Sequence, residues 1–267
     1  MQPKIESRNW NEMLENLSNI AGEMKNLGLA ALSHANRIEP QTDKWAELSI
    51  LQVAHAMEIL IKACIAEEHP LLIFDRIPKP TKNTLNEITD ELTISKLSEK
   101  GHTIEWSSLL DFLWAVSNVK SINVAEFNRF GIIRNSIQHF GIVPTDSPVS
   151  HLTSLQFIYN VIDPFINEHW GLYAIDYCQD YSSENESNDL YWNYIRMYLL
   201  NNEIVFKVSP TLYDNKDKWW YGIKVNGEYL NIAQDSMDFV EEIEVSEDYY
   251  NKVKAQLKYY DDIYYKI

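Results

Sequence analysis

An arginine, an amide and a histidine stand close together in Arg134-Asn135-Ser-Ile-Gln-His139, inside the helix-length segment Glu126 to Gly141 (EFNRFGIIRNSIQHFG). On an α-helix successive residues turn by about 100°, so Asn135 and His139, four apart, project from nearly the same face. Arg134 sits one step round, on a side chain long enough to reach that face. The three supply a permanent cation, a carboxamide and an imidazole that titrates near neutrality. Such a set suits cleavage of RNA without a metal. A base takes the 2′-OH proton, the oxygen attacks the adjacent phosphorus, an acid protonates the departing 5′ oxygen, and a fixed cation offsets the charge that builds at phosphorus. His139 is the proton carrier in this scheme, Arg134 the cation, and Asn135 orients the histidine or the phosphate. The plain structural alternative is a polar pair near a helix end, which His139, two residues before Gly141, also fits.

Other helices must hold that segment. The second predicted helix, from about Lys44 to Glu68, is apolar almost all round, the pattern of the buried centre of a bundle. Its polar residues Gln52, His55, Glu58 and Lys62 recur at threes and fours and form one stripe. Buried charges need partners. Glu58 and Lys62 can pair along the helix, or Glu58 can support Arg134 or His139 from a neighbouring helix. Before it, Arg8 to Arg37 reads as one long amphipathic helix weakened at Gly22 and Gly28. Pro70 to Lys82 reads as a connector, Asn83 to Lys100 and Trp106 to Val119 as helices, and Pro148 to about Tyr181 as a helix that Pro164 kinks or divides.

The string RNSIQH, with a polar residue directly after the arginine, resembles the Arg-x4-His motif of the HEPN superfamily. AMEILIKA, within the second helix, is similar to the early helix of many HEPN domains and precedes the Arg/His helix in the same order. The resemblance implies an α-helical bundle that dimerises with its two Arg/His helices facing across a shared cleft. It further implies a metal-independent endoribonuclease of toxin–antitoxin, phage-defence or RNA-processing systems, with an antitoxin or other inhibitory protein as a possible partner. One motif histidine per chain, His139, agrees with a homodimer, because two-step proton traffic is easier with two imidazoles.

Composition bounds the alternatives. With 267 residues, 45% of them hydrophobic, the chain can fill a core. The amino terminus lacks the apolar stretch of a signal peptide, and Leu48 to Ala66, the most apolar run, is interrupted by polar residues, so no membrane span is expected. Two cysteines, Cys64 and Cys178, suit a reducing cytoplasm. The sequence has no phosphate-binding glycine loop, nucleophile elbow or Cys/His array, and an H-x-x-E-H site after His55 and Glu58 would need histidine where Ile59 stands. No cofactor or metal is expected.

The net charge of -16 argues against a nucleic-acid partner. Its distribution softens the objection: residues 1–150 hold 14 Lys/Arg against 19 Asp/Glu, whereas residues 151–267 hold 9 against 20. Most of the excess lies away from Arg134 and His139.

After YSSENESNDL, which reads as a linker, the pattern changes. Leu190 to Leu200 predicts a short aromatic helix. Glu203 to Val208 and Lys218 to Val225 predict strands, Asn226-Gly227 a hairpin turn into EYLNIA, and Ser246 to about Tyr264 a last helix. The expected architecture is mainly α: a HEPN-like helical domain over residues 1–181 and a small α+β appendage with a β-hairpin over 182–267. The expected activity is that of an RNase in a cytoplasmic homodimer, with Arg134, Asn135 and His139 catalytic and Glu58, Lys62 and His55 supporting. A noncatalytic module that holds a nucleotide, RNA or protein, or a pure interaction scaffold, would use the same surface without turnover.

Overall fold

Apolar periodicity of three and four becomes helix over most of the described residues. The computed structural model describes residues 19–36, 45–77, 97, 99–143, 151–177, 198–206, 219–234 and 242–264. Helices α1 (Ile20–Ala35), α2 (Trp45–Glu68), α3 (Leu109–Val116), α4 (Val124–Phe140), α5 (His151–Phe157), α6 (Asp163–Trp170) and α7 (Glu247–Tyr264) dominate it. The protein is mainly helical. The start of the expected first helix, most of Asn83 to Lys100, the linker and the boundary at 181/182 lie outside the described residues. Two compact units result, one from Met1–Leu29 with His55–Lys120, the other from Ala30–Ala54 with Ser121–Ile267.

In the first unit, Leu60, Ile61, Ile65, Ile104, Leu109 and Leu113 are fully buried. Gly28 of α1 is a contact point rather than a mere weakness: a Cβ there would lie 2.7 Å from Leu60 Cγ, so only hydrogen lets the helices approach this closely. His69 ends α2 and caps the turn Pro70–Ile73, its Nδ1 accepting from the Leu71 amide at 3.2 Å. The connector then contains a strand that periodicity did not announce. β1 (Phe74–Arg76) pairs antiparallel with β2 (His102–Thr103), and the Ile104 amide donates to the Ile73 carbonyl at 2.9 Å.

By length and composition Ala46–Glu68 is apolar enough to cross a membrane, against the sequence reading, and 72% of its most apolar window is buried inside the protein. The polar stripe that interrupts the run is too sparse to lower its mean hydropathy below that of a span.

In the second unit Phe127, Phe130, Phe157 and Phe165 are fully buried, and Phe130 stacks on Phe157 with ring centroids 3.8 Å apart at 18°. The element is divided beside Pro164, into α5 and α6. Between α5 and α6 the helix widens into a π turn, Ile158–Ile162, whose last bond runs from the Asp163 amide to the Ile158 carbonyl. The wider turn sits just where the proline has no N–H to give, and Pro164 falls in the first turn of α6, where none is needed. Buried Asn36 ties the end of α1 to this region: its Nδ2 donates to the Ala174 carbonyl at 3.0 Å and its Oδ1 accepts from Tyr159 Oη at 3.2 Å.

The hairpin forms as expected. β3 (Trp219–Val225) and β4 (Glu228–Gln234) flank Asn226 and Gly227, both at positive φ (49° and 86°). A third strand, β5 (Glu242–Glu244), joins β3 in parallel. The strand expected from Glu203 does not start there. Glu203 has φ 51° and ends a helical turn, with its amide on the Leu200 carbonyl at 3.0 Å and the Ile204 amide on the Leu199 carbonyl at 2.9 Å. Its carboxylate accepts from the Ser246 amide and hydroxyl at 2.6 and 2.8 Å, just ahead of α7. Tyr249 Oη donates to the Ile204 carbonyl, and Phe206 meets the Tyr159 ring edge-on at 6.2 Å.

Candidate functional site

Helix α4 opens and closes on local chemistry. Asn123 Oδ1 accepts from the Glu126 amide at 3.2 Å as N-cap, and Gly141, at φ 62°, takes the left-handed position that ends the helix. Phe127, Phe130, Ile133 and Ile137 form the buried face. The opposite face carries Asn128, Asn135 and His139, all exposed, with Arg134 half-buried at its margin. The phenylalanines on the inner side thus fix the rotation of the helix and turn the imidazole to solvent.

Arg134 Nη1 donates to Asn135 Oδ1 at 2.9 Å, so the amide next in sequence holds the guanidinium. The group that Asn135 holds here is the arginine, where the sequence reading expected it to orient the histidine or the phosphate. His139 lies one turn on, its ring 6.3 Å from that of Phe140. Between Glu126 and Asp146 the sequence holds no carboxylate, although the protein has 39. Glu126 itself is half-buried; burial raises its carboxyl above the usual range, while a hydrogen bond from Asn160 and the charge of Arg129 oppose the rise.

The residues expected to support this group belong to the other unit. Lys62 Nζ donates to Glu58 at 2.6 Å and to Thr103 Oγ1 at 3.1 Å, joining α2 to β2. The first of these bonds is the along-helix ion pair. His55 is exposed on α2, and Gln52 Oε1 lies 3.2 Å from His34 Nδ1. Cys64 is no candidate nucleophile: burial, with Glu67 adding to it, pushes its thiol up to about 12, so it stays protonated and inert at neutral pH. Among the described residues no group of three or more His, Cys, Asp or Glu side chains is placed to hold a metal ion.

No protein-family model, curated protein or solved structure matches the chain. The chemistry of α4 therefore has to be read from its own side chains. Sequence spacing found Arg134, Asn135 and His139. It passed over Ile132, Phe140 and Ile142, which are 68, 74 and 62% exposed around them. A helical wheel would have signalled Ile132, which lies nearly opposite Phe130; nothing in the sequence marks Phe140 as exposed.

Proposed function

We propose that the protein is a metal-independent endoribonuclease of the HEPN type, built on a helical bundle with a small α+β appendage. The observation that carries the proposal is the exposed, carboxylate-free face of α4, where His139 stands one turn from Asn135, whose Oδ1 holds the half-buried Arg134 guanidinium at the margin. A guanidinium fixed by a neighbour is ready for the developing charge at phosphorus and loses little freedom in meeting it. An exposed imidazole can exchange protons with the 2′-OH and the leaving oxygen. The products would be a 2′,3′-cyclic phosphate and a 5′-hydroxyl.

The single imidazole of each α4 site, that of His139, serves one proton transfer at a time. The active form in this reading is a cytoplasmic homodimer in which a second α4 brings the other histidine. The exposed face of α4 carries Arg129, with Arg134 at its margin, and no exposed carboxylate, so two copies can meet there without a carboxylate between them. A toxin or phage-defence role, with an antitoxin or other protein masking the cleft, follows the same resemblance.

Purified protein incubated with unpaired RNA and a chelator tests the proposal. Cleavage should persist without divalent ions, and Arg134→Ala and His139→Ala should each lower it by about 10²- to 10⁴-fold, with melting unchanged. Full activity of either variant would refute the mechanism. The net charge of -16 favours the second reading, a noncatalytic module for a nucleotide, RNA or protein. Its mark would be saturable binding with no turnover at high protein concentration.

A further inference from the structure

Next to His139 is a large apolar side chain that adds little to the core. Phe140, the last residue of α4, is 74% exposed, and its ring stands 6.3 Å from the imidazole, inclined at 64°. Its surroundings are built rather than loose. Gly141 turns the backbone at φ 62°, and the Ser136 hydroxyl donates to the Ile142 carbonyl at 2.7 Å, bringing the chain back beside the last turn. Ile142, 62% exposed, follows directly. The result is an apolar lip of two side chains at the end of the helix that carries the cation and the imidazole. A phenyl ring left in water gives folding almost nothing, since its hydrophobic contribution comes only on burial. Buried on a ligand, the same ring contributes to binding.

We propose that Phe140 is a stacking platform for an unpaired nucleobase of the RNA whose phosphate meets Arg134 and His139. The inference rests on the ribonuclease reading and extends it to substrate choice. Every base has a π face, so an exposed aromatic ring binds single strands with little sequence preference, and a base inside a duplex has both faces covered. Phe140 therefore selects unpaired RNA. The neighbourhood allows the approach, because the sequence offers no carboxylate from 127 to 145 and supplies Arg129 and Arg134 within it. The ring-to-imidazole distance is of the order that a base and its own ribose-phosphate span, so one nucleotide can touch both.

The test uses the full-length protein and a short unpaired RNA carrying one 2-aminopurine, with 2′-deoxyribose at every sugar bearing a scissile bond so that cleavage cannot occur. Stacking quenches the fluorescence of that base. The wild type should bind and quench. Phe140→Ala should bind about tenfold to a hundredfold more weakly with the quench lost, and Phe140→Trp should restore both. Sedimentation of Phe140→Ala should match the wild type. Equal affinity of wild type and Phe140→Ala would overturn the proposal, as would absence of binding by the wild type. So would conversion of a wild-type dimer to monomer by Phe140→Ala, which would assign the ring to a seam between copies. Phe140-dependent quenching by a protein that leaves all-ribose RNA intact would uphold the platform while removing the nuclease reading. Cleavage of all-ribose RNA that Phe140→Ala leaves untouched would do the reverse.

Discussion

Phe130→Ala separates what holds α4 from what α4 does. Phe130 is 1% exposed and lies nearly parallel to Phe157 at 3.8 Å. Truncating a buried phenylalanine costs about 3–5 kcal/mol, because the transfer free energy of the ring is lost and the site collapses only in part. Loss of the stacked pair places this case toward the upper end, about 4–5 kcal/mol. For a chain of this size each kcal/mol moves the midpoint by about 2–4 °C, so Phe130→Ala should lower Tm by roughly 8–20 °C. His139→Ala on the opposite face should change stability by no more than about 0.5 kcal/mol, since the side chain is exposed. Differential scanning calorimetry on the two variants reads both numbers in one experiment. A Phe130→Ala midpoint within about 2 °C of the wild type would refute the claim that the phenylalanine stack sets the rotation of the helix. A His139→Ala loss as large as that of Phe130→Ala would show the imidazole to be structural.

Three further perturbations test the frame. Lys62→Met should destabilise by about 1–3 kcal/mol in urea titration, less than the loss of a fully buried partner because Glu58 keeps 21% of its side chain in water, and adding Glu58→Leu should recover part of that loss. Gly28→Ala gains about 1 kcal/mol of helix propensity but meets Leu60 at 2.7 Å, an overpacking of about 1–3 kcal/mol; the expected net loss should shrink in a Leu60→Val background, and a stabilised single variant would count against the close approach. Glu126 has a folded-state pKa above its unfolded value, so the folded state binds the proton more tightly and stability falls as pH rises above about 4.5. Glu126→Gln should therefore melt higher than the wild type at pH 7 and converge with it in acid; a difference that grows as pH falls would reverse the sign.

Elements whose physics is local were legible in the sequence, and those set by a distant partner were not. The all-round apolar pattern of α2 marks a helix that is largely removed from water, and most of it is buried inside the protein. Asn226-Gly227 names its own turn, because both residues must take positive φ and few other pairs do so cheaply. β1, β2 and β5 are two or three residues long, too short for any period, and exist because another strand lies beside them. The alternation after Glu203 resembled a strand, yet the helix before it needed a cap and the Ser246 turn needed a carboxylate, and both claims fell on Glu203. Pro164 was visible as a helix fault. That the chain would answer with a wider turn depended on the packing of Ile158, Val161 and Ile162, each of which remains fully buried.

For the candidate site the same division holds, and it bears on how an acidic protein could act on RNA. Spacing alone put Asn135 and His139 on one face, because helix geometry fixes that relation whatever surrounds it. Net charge, summed over the chain, pointed away from nucleic acid, but a phosphate responds chiefly to charges within about 8–10 Å in physiological salt. Over that range the sequence supplies two arginines, of which Arg129 lies near Glu126, and no carboxylate from 127 to 145, on a helix whose inner side is pinned by phenylalanines. Raising ionic strength should then have two opposed effects on RNA, screening the long-range repulsion of the acidic surface and weakening the contact with Arg134 itself. Binding should pass through a maximum as salt increases, in contrast to the steady decline of a basic protein. A steady decline from the lowest salt would mean that attraction governs at all ranges and that the acidic surface takes no part.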